Sequence, residues 1–371
     1  MKIKPKIMTV FGTRPEAIKM CPLVIKLGER PFFETKVCVS GQHREMLSSA
    51  LADFGVTPNF DLEVMRDCQS AADITARVLD RLTPVLTAER PDMLLVHGDT
   101  STALAASLAA FYLRIPVGHV EAGLRSFDLA SPFPEEFNRI TVDKLSELCF
   151  APTKQAERNL LSEGKEKIRV FVTGNTVIDS LIMSINKNYR SPLLPKLLPN
   201  EKSRFALVTL HRRENIGEPM RNMLRAIRRA VEEHGDLSVL IPVHKNPAVR
   251  QIVSEELSGA PRFFITEPMN TVEFRNMLAR CDFVLSDSGG IQEESAFLGK
   301  PMLVLRDTTE RPEAAGNLVI TGREYEGVYK NFTSLLDNPR VAERMSRPSS
   351  AFGDGNSSEK IISIIYKYFF D

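Results

Sequence analysis

Short apolar runs rich in β-branched residues recur along the chain, and each is followed by a stretch whose polar and apolar positions suit a helix. The runs that we predict as strands are residues 7–11, 36–40, 93–97, 117–120 and 170–173, then 205–210, 238–243, 263–266, 283–285 and 302–305. Alternation of this kind is typical of parallel sheets that helices cover on both faces. The pattern therefore predicts an α/β protein with two doubly wound sheets.

A proline-containing segment separates the two sets of strands. Residues 188–203 carry three prolines among polar neighbours, a composition typical of a connector rather than of a core. We therefore predict an N-terminal domain over residues 1–187, a linker over 188–203 and a C-terminal domain over 204–355.

Composition and charge limit the classes of partner. The 371 residues, 43% hydrophobic and 26% charged, are typical of a globular protein long enough for two domains. The net charge of +1, from 48 basic and 47 acidic residues, lacks the positive excess of a nucleic-acid-binding protein. We therefore expect no nucleic-acid partner, although local anion sites are compatible with this balance.

Neither export nor membrane insertion is expected. The first residues enter a predicted strand without the apolar core and cleavage site of a signal peptide. The longest nearly apolar run, residues 103–113, is too short to span a bilayer and suits a buried helix. The five cysteines are scattered without a C-x-x-C pair, which suits reduced thiols. We expect a cytoplasmic protein without a membrane partner.

A pair of glycines marks the clearest candidate binding site. Residues 286–294, Ser-Asp-Ser-Gly-Gly-Ile-Gln-Glu-Glu, follow an apolar run and open a helix-like segment. Gly289 and Gly290 let the backbone approach a ligand closely, and N–H groups at a helix start favour phosphate oxygens. Glu294 lies one turn further on, where a carboxylate can accept hydrogen bonds from the two hydroxyls of a ribose. The segment predicts a nucleotide site, with an ordinary strand-to-helix turn as the alternative.

Polar residues also follow most of the other predicted strands directly. In open parallel sheets, ligands bind outside the carboxyl ends of the strands. The polar segments at these positions are residues 12–16, 41–45, 97–100, 121–125, 211–215 and 244–247. Together with the glycine pair, they predict that both halves of the chain contribute ligand-binding residues to one cleft between the domains.

Three basic residues are candidates for binding a diphosphate. Arg14 and Lys19 flank a predicted turn into a helix, and Arg311 follows an apolar run near the glycine pair. For Lys19 the alternative is a solvated helix charge. For Arg311 the alternative is surface ion pairing with Asp307, Glu310 or Glu313. The sequence has no G-x-G-x-x-G with a downstream acidic partner and no G-x-x-x-x-G-K, which argues against dinucleotide and P-loop sites.

Four carboxylates are candidates for catalysis. Asp99 and Glu121 follow predicted strands, and Glu135 and Glu136 begin a predicted helix. The apolar context before Glu121 suits a buried general acid or base. Asp99 has an alternative role as the N-cap of a helix over residues 101–112. Glu135 and Glu136 have an alternative role as first-turn residues favoured by the helix dipole.

His211 follows a predicted strand beside two arginines, where it could donate to a phosphate or protonate a leaving group. The alternative is a histidine whose hydrogen bonds are purely structural. The sequence has no H-x-x-H or H-E-x-x-H pair, so we expect no catalytic metal.

Taken together, the motifs resemble those of the non-hydrolysing UDP-N-acetylglucosamine 2-epimerases over nearly the whole chain. The matching segments are residues 12–19, 97–99, 119–125, 134–136, 211–215, 287–294 and 306–313. The resemblance implies a GT-B-like pair of Rossmann-like domains with an interdomain active-site cleft and the nucleotide mainly on the second domain. It also implies a homodimer, and a last helix within residues 356–371 that packs back on the first domain.

The resemblance further implies interconversion of UDP-GlcNAc and UDP-ManNAc with no cofactor. UDP is eliminated to give 2-acetamidoglucal and then added back, and the product supplies ManNAc units for surface polysaccharide. The residues that match catalytic positions are Asp99, Glu121, Glu135 and His211, the last at the departing diphosphate. Those that match substrate-binding positions are Arg14, Lys19, Phe274 against uracil, Ser288, Gly289, Gly290, Glu294 at the ribose, and Arg311. Those that match an allosteric UDP-GlcNAc site are Gln42, His43, Arg212 and His244.

Three other functions are compatible with the same architecture. A hydrolysing epimerase would release ManNAc and UDP. A GT-B glycosyltransferase would share the UDP site but would need an acceptor cleft in place of carboxylates around C1 and C2 of the sugar. A sugar-nucleotide sensor would bind without chemistry and would have no need of the carboxylates Asp99, Glu121 and Glu135.

Overall fold

Two parallel β-sheets organise the chain in the computed structural model, which describes residues 4–41, 44–66, 69–309 and 311–371. The sheets belong to two units. The first unit comprises Met1–Met183 and Phe352–Asp371, and the second comprises Ser184–Ala351. Because each sheet is parallel and alternates with helices along the chain, the predicted fold class of two doubly wound sheets is confirmed.

The first sheet has seven strands among the described residues, in the order β3-β2-β1-β4-β5-β6-β7. The strands are β1 (Lys6–Phe11), β2 (Glu34–Val39), β3 (Phe60–Asp61), β4 (Met93–His97), β5 (Val117–Val120), β6 (Leu148–Ala151) and β7 (Val170–Val172). The strand order reverses between β1 and β4, and in such sheets the crevice at the carboxyl ends of the two strands is where ligands bind.

Helices accompany these strands in the first unit. They are α1 (Arg14–Gly28), α2 (Arg44–Asp53), α3 (Ala71–Glu89), α4 (Ser101–Tyr112), α5 (Glu135–Leu145), α6 (Lys154–Ser162), a 3₁₀ turn (Lys167–Arg169) and α7 (Thr176–Ser184). The apolar run at residues 103–113 forms most of α4, and Ala103, Ala105 and Ala106 are fully buried there. No helix among the described residues combines the length and the apolar character needed to cross a membrane.

Successive residues of the central strands are buried on opposite faces of the first sheet. In β1, Ile7 and Phe11 belong to one core cluster, and Met8 and Val10 belong to another. All four side chains are fully buried. Apart from the buried Thr9, residues 7–11 are therefore apolar, as expected where helices cover both faces of a parallel sheet.

The second sheet has six strands among the described residues, in the order β10-β9-β8-β11-β12-β13. The strands are β8 (Arg204–Thr209), β9 (Leu237–Pro242), β10 (Phe263–Thr266), β11 (Phe283–Ser286), β12 (Met302–Val304) and β13 (Leu318–Ile320). The helices are α8 (Leu194–Leu197), α9 (Glu218–Glu233), α10 (Pro247–Leu257), α11 (Thr271–Arg280), α12 (Gly289–Leu298), α13 (Tyr325–Asp337) and α14 (Pro339–Met345), with 3₁₀ turns at Arg213–Asn215 and Pro312–Ala314. Here the order reverses between β8 and β11.

The last helix, α15 (Ser357–Phe370), returns to the first unit. Its Ile361 and Ile365 join the core cluster that lines one face of the first sheet. At its start, Asp179 accepts hydrogen bonds from the backbone N–H groups of Ser357 (3.1 Å) and Ser358 (2.8 Å). These bonds satisfy donors that a helix start leaves unpaired, so the final segment is anchored at its first turn.

Candidate functional site

One buried carboxylate holds the turn from β1 into α1. Glu16 accepts hydrogen bonds from the N–H groups of Gly12 (3.0 Å) and Thr13 (2.8 Å), and it closes a capping box with Thr13. Its other oxygen accepts from the hydroxyl of Thr100 at 2.8 Å. Burial raises the pKa of Glu16. Gly12 is required because an added Cβ would lie 1.9 Å from Oγ of Ser40. The start of α1 is thereby fixed to the start of α4.

Arg14 and Lys19, the two candidate cations of this helix, differ in their surroundings. Arg14 is the first residue of α1 and is half-buried. Lys19 forms an ion pair with Glu121, and its side chain is only 14% exposed. The interpretation of Lys19 as a solvated helix charge is therefore wrong.

Glu121 is a buried carboxylate directly after β5. It is 9% exposed, and its φ of 68° lies in the left-handed region that residues other than glycine rarely adopt. Besides the ion pair with Lys19, it accepts a hydrogen bond from the side chain of Asn175 at 2.7 Å. Backbone conformations of this kind persist only where the surroundings hold them, and they concentrate at functional sites.

His97, the last residue of β4, lies against the same carboxylate. Its Nε2 is 3.7 Å from Oε2 of Glu121, and neither ring nitrogen has a hydrogen-bond partner among the residues that the structure describes. Burial lowers the pKa of His97 to about 3, although the charge of Glu121 opposes this shift. The ring is therefore a neutral polar group beside Glu121 at physiological pH.

This buried ring predicts that acid destabilises the first unit. Below pH 6.5, the ordinary value for histidine, the unfolded chain takes up a proton that folded His97 refuses until about pH 3. The free energy of unfolding therefore decreases as the pH is lowered through that window, by about 1.4 kcal/mol per pH unit. Between pH 7 and pH 5, replacement of His97 by glutamine should remove about 2 kcal/mol of this loss. Urea unfolding followed by hydrogen exchange of β4 peptides measures it.

His234 provides a control of opposite sign in the second unit. Burial works against its charged form, but hydrogen bonds to Asp337 (2.9 Å) and to the carbonyl of Ala230 (2.7 Å) outweigh burial and raise its pKa. Its contribution is present at low pH and is lost as the pH rises through the folded-state pKa. The His234→Gln variant should therefore lose more stability in acid than the parent protein. Equal pH dependence in the parent and the His97→Gln variant would contradict the buried, neutral ring.

Asp99 follows β4 and forms an ion pair with Arg139 of α5. Its backbone carbonyl accepts a hydrogen bond from the side chain of Asn138 at 2.8 Å. The N-cap of α4 is Thr100, whose hydroxyl accepts from the N–H of Ala103 at 3.0 Å. The alternative that Asp99 caps this helix is therefore wrong.

Arg139 connects Asp99 to the acidic start of α5. It is 8% exposed and also pairs with Glu136 at 3.2 Å. Glu136 is fully buried and accepts hydrogen bonds from the N–H groups of Ser126 (3.0 Å) and Phe127 (2.9 Å), so it holds the preceding loop. The half-buried carboxylate of Glu135 makes no hydrogen bond or ion pair with any described residue. The arginine was not predicted, although its position three residues after Glu136 on the same helix is a usable signal.

The first unit thus brings several predicted residues to one edge of its sheet. β4 and β5 are hydrogen-bonded neighbours, with His97 opposite Val120, so Asp99 and Glu121 extend from adjacent strand ends. α1 supplies Lys19 to the same place. Among the described residues, no group of three histidine, cysteine, aspartate or glutamate side chains could hold a metal ion. The arrangement can bind a polar ligand and transfer a proton.

In the second unit, Asp287 organises the loop that follows β8. This fully buried carboxylate accepts hydrogen bonds from the N–H groups of His211 and Arg212, both at 3.0 Å, and from the side chain of Asn215 at 2.9 Å. Burial alone would raise its pKa, but the His211 ring, with Nδ1 2.9 Å away, and the backbone donors hold the pKa of Asp287 below its usual value. Asp287 is therefore a carboxylate that fixes the loop.

His211 is oriented by this contact. Its Nδ1 faces Asp287, and 42% of the side chain is exposed, so Nε2 is the nitrogen that a ligand can reach. The ring of His244 lies 6.2 Å from that of His211, and burial together with the His211 charge lowers the pKa of His244. Arg212 donates to the carbonyl of Asp287 at 2.8 Å. Of the predicted allosteric residues, Arg212 and His244 thus surround His211, and Gln42 and His43 lie outside the described residues.

The glycine pair opens α12 beside this loop. Ser288 is the N-cap, but its side chain does not cap the helix, and the first turn contains no acidic residue. A Cβ added to Gly290 would meet no atom within 4 Å, and one added to Gly289 would lie 3.9 Å from Nη2 of Arg212. The first turn therefore combines open space, N–H donors and a nearby guanidinium, as an anion site requires.

The next turn of α12 carries two buried carboxylates. Glu294 is 7% exposed, and its Oε1 accepts hydrogen bonds from Nε (2.9 Å) and Nη2 (2.6 Å) of Arg275. Arg275 is itself 2% exposed and follows the half-buried Phe274 on α11. Glu293 forms an ion pair with Arg311. Arg311 was predicted, but its buried partner Glu293 was not. Glu294 and Arg311, two of the predicted contact residues, are thus each held by a charged neighbour.

The chain is similar to known proteins in both sequence and structure. The sequence model of UDP-N-acetylglucosamine 2-epimerase matches residues 25–366. A UDP-N-acetylglucosamine 2-epimerase of Bacillus subtilis (strain 168) is 48% identical over 368 residues, which cover 98% of this chain and 96% of that protein. The crystal structure of UDP-GlcNAc 2-epimerase from Neisseria meningitidis bound to UDP-GlcNAc is similar with a TM-score of 0.91 at 44% identity, covering 98% of this chain and 100% of that one. The S. aureus MnaA–UDP co-structure has a TM-score of 0.91 at 48% identity, covering 98% and 97%.

Proposed function

Because the chain belongs to the UDP-N-acetylglucosamine 2-epimerase family, we propose that it interconverts UDP-GlcNAc and UDP-ManNAc without hydrolysing either. The observation that carries the proposal is Glu121, a buried carboxylate in a left-handed conformation between a lysine and a neutral histidine. A carboxylate that is shielded from water and held by its neighbours in this way suits proton transfer, and this supports the proposal.

The proposed reaction is an elimination followed by the reverse addition. The hydrogen at C2 of the sugar has no adjacent carbonyl to acidify it, so its removal depends on departure of UDP from C1. A base takes the C2 proton, the C1–O bond breaks, and UDP and 2-acetamidoglucal form. UDP oxygen then bonds to C1 again while a proton is delivered to the opposite face of C2. Atoms and electrons balance without an oxidant or a cofactor.

The first unit would serve the sugar. Carboxylates close to C1 and C2 stabilise the positive charge that develops as UDP leaves, and we assign this role to Asp99, Glu121 and Glu135. Lys19 forms an ion pair with Glu121. A bound diphosphate offers Lys19 a second anion, and a shift of Lys19 toward it would strengthen Glu121 as the acceptor of the C2 proton.

The second unit would hold the nucleotide. We assign the diphosphate to the first turn of α12, to His211 and to Arg311, with Arg14 of the first unit as a further cation. The donors of Ser288, Gly289 and Gly290 lie in that turn. Arg275 binds Oε1 of Glu294, and Oε2 remains as the acceptor for the ribose hydroxyls. Phe274 would pack against uracil.

Incubation of the purified protein with UDP-GlcNAc in D₂O tests the proposal. We expect UDP-ManNAc with deuterium at C2, and deuterium also in the recovered UDP-GlcNAc, because the proton at C2 is exchanged in each cycle. Nuclear magnetic resonance of the sugar protons measures both. Formation of this product would make the protein a source of ManNAc units for surface polysaccharide.

The other possible outcomes assign the site differently. Free ManNAc and UDP would identify the hydrolysing reaction. Release of UDP that depends on an added sugar acceptor would identify a glycosyltransferase. Binding of UDP-GlcNAc with no change in its C2 hydrogen would identify a sensor, and the assignment of Glu121 as a proton carrier would be wrong.

A further inference from the structure

A buried histidine lies behind the two candidate catalytic loops of the first unit. His119 of β5 is fully buried. Its Nδ1 is 2.6 Å from Oδ1 of Asp143, and its Nε2 is 2.8 Å from the carbonyl oxygen of Gly98. A carboxylate and a carbonyl are both acceptors, so each ring nitrogen must donate. The geometry therefore requires the doubly protonated, cationic ring.

This buried charge belongs to a balanced network. Asp143 of α5 is 2% exposed and also pairs with Arg125 at 2.8 Å, and Arg125 in turn pairs with Glu163 at 2.6 Å. His119 and Arg125 contribute two positive charges, and the two carboxylates contribute two negative ones. Burial alone would raise the pKa of Asp143, but His119 and Arg125 hold it below its usual value. The network thus pairs opposite charges and is internally bonded, which permits its burial.

The network reaches both loops that carry candidate carboxylates. Gly98, whose carbonyl His119 holds, directly precedes Asp99. On the other side, Oδ2 of Asp143 accepts from the N–H of Gly123 at 3.2 Å, two residues after Glu121. The N–H of Gly98 also donates to the carbonyl of Val120 at 2.9 Å. One cation and its partner therefore connect the end of β4 to the end of β5.

We propose that His119, acting with Asp143, is a positioning residue that fixes the separation of Asp99 and Glu121 during epimerisation. The inference rests on the proposed function, because that function gives Asp99 and Glu121 a shared task at C1 and C2 of the sugar. Glu121 is in a left-handed conformation and does not hold its loop by backbone preference alone. A displacement of about 1 Å at a reacting group lowers rates by up to about a hundredfold. His119 does not touch the substrate and acts only through Gly98 and Asp143.

Two substitutions separate the contacts of the ring. The amide nitrogen of asparagine can occupy the place of Nδ1. The His119→Asn variant therefore keeps the hydrogen bond to Asp143 and loses the one to the carbonyl of Gly98. The amide nitrogen of glutamine can reach the place of Nε2, so His119→Gln keeps the bond to Gly98. Asp143 keeps its contacts with Arg125 and the N–H of Gly123 in this variant, so the loop after β5 stays held. We expect kcat for epimerisation to fall about tenfold or more in His119→Asn, with KM within about twofold, and to recover to within about threefold of the parent in His119→Gln.

Val142→Ala is the matched control, because Val142 is buried beside the network and touches neither loop through a hydrogen bond. Its Tm should fall while kcat per folded molecule stays at the parent value. Equal kcat in His119→Asn and His119→Gln, or a loss of kcat in Val142→Ala at the same Tm decrease, would overturn the proposal. If the parent protein exchanges no deuterium at C2, the proposed function fails instead, and the two failures are thus distinguished.

A measurement on the unaltered protein keeps the inference testable if the variants do not fold. Labelling of the six histidines with ¹⁵N allows both ring nitrogens to be observed. Both ring nitrogens of His119 should carry hydrogen, as the two donated bonds require, and both should keep it when UDP binds. A ring with one bare nitrogen would contradict the two donated hydrogen bonds and with them the proposal.

Discussion

Replacement of Glu121 by glutamine should lower the rate of deuterium incorporation at C2 by about a thousandfold, because the amide cannot accept the proton. Removal of a general acid or base costs about 10²–10⁴ in rate. Glutamine has nearly the same shape and keeps an oxygen for the hydrogen bond from Asn175. The fold should therefore persist. Single-turnover measurement of exchange in D₂O, with circular dichroism of the variant, checks both expectations.

Glu157→Gln is the matched control for this variant. Glu157 lies on α6 in the same unit, is 7% exposed and pairs with Lys154 at 3.1 Å and with Lys167, so its replacement also breaks ion pairs of a shielded carboxylate. Exchange at C2 should be unchanged in this variant. If Glu121→Gln exchanges deuterium as fast as Glu157→Gln, another group carries the proton and the role of Glu121 is refuted.

The sequence predicted the fold best where the strands are buried. The apolar runs predicted β4 and β5 with their observed ends, because a strand buried on both faces is continuously hydrophobic. The edge strand β10 was also predicted with its observed ends, although it is only partly buried. Among the described residues, three strands were missed, namely β3, β6 and β13. β3 and β13 have two and three residues, too few to establish a period. β6 follows α5 without a glycine or proline between them, so its apolar run reads as a continuation of the helix.

Within the candidate site, the sequence predicted residues mainly at the ends of strands. The rule that ligands bind at carboxyl ends selected Asp99, Glu121 and His211 from positions in the sequence. Several residues that hold candidate side chains were not predicted, since they come from other elements. Arg275 and Asp287 are examples, because each contacts a residue far away in the sequence, Glu294 and His211 respectively. A single sequence carries no signal for such pairs. The motif resemblance to the 2-epimerases, in contrast, is confirmed by the family match.

Long-range partners also change the interpretation of single residues. Lys19 on its own suggests a solvated charge, and only its ion pair with Glu121 makes it part of a proton-transfer site. His119 on its own suggests one more apolar-strand residue, and only Asp143 and Gly98 define it as a cation. The chemistry of this protein therefore depends on contacts that its local patterns do not encode, even though those patterns define the scaffold.

Replacement of Gly290 by alanine should weaken UDP binding by about thirtyfold while leaving the fold intact or slightly more stable. A Cβ at this position meets no atom within 4 Å, and alanine is favoured over glycine in a helix by up to about 1 kcal/mol. The same methyl group would occupy the space into which we place the diphosphate. Donors that then lose their phosphate oxygens cost about 1–3 kcal/mol of affinity each. Calorimetric titration with UDP and urea unfolding measure the two effects.

Gly28→Ala separates the two consequences, because Gly28 also lies in a helix, α1, and an added Cβ meets nothing within 4 Å there either. This variant should match the parent in UDP affinity and should not lose stability. A decrease of affinity in Gly290→Ala alone, with stability unchanged or increased, can arise only from a ligand that needs the bare backbone of the α12 turn. Parent-like affinity in Gly290→Ala would instead move the diphosphate away from this helix start, and His211 and Arg311 would lose their assigned ligand with it.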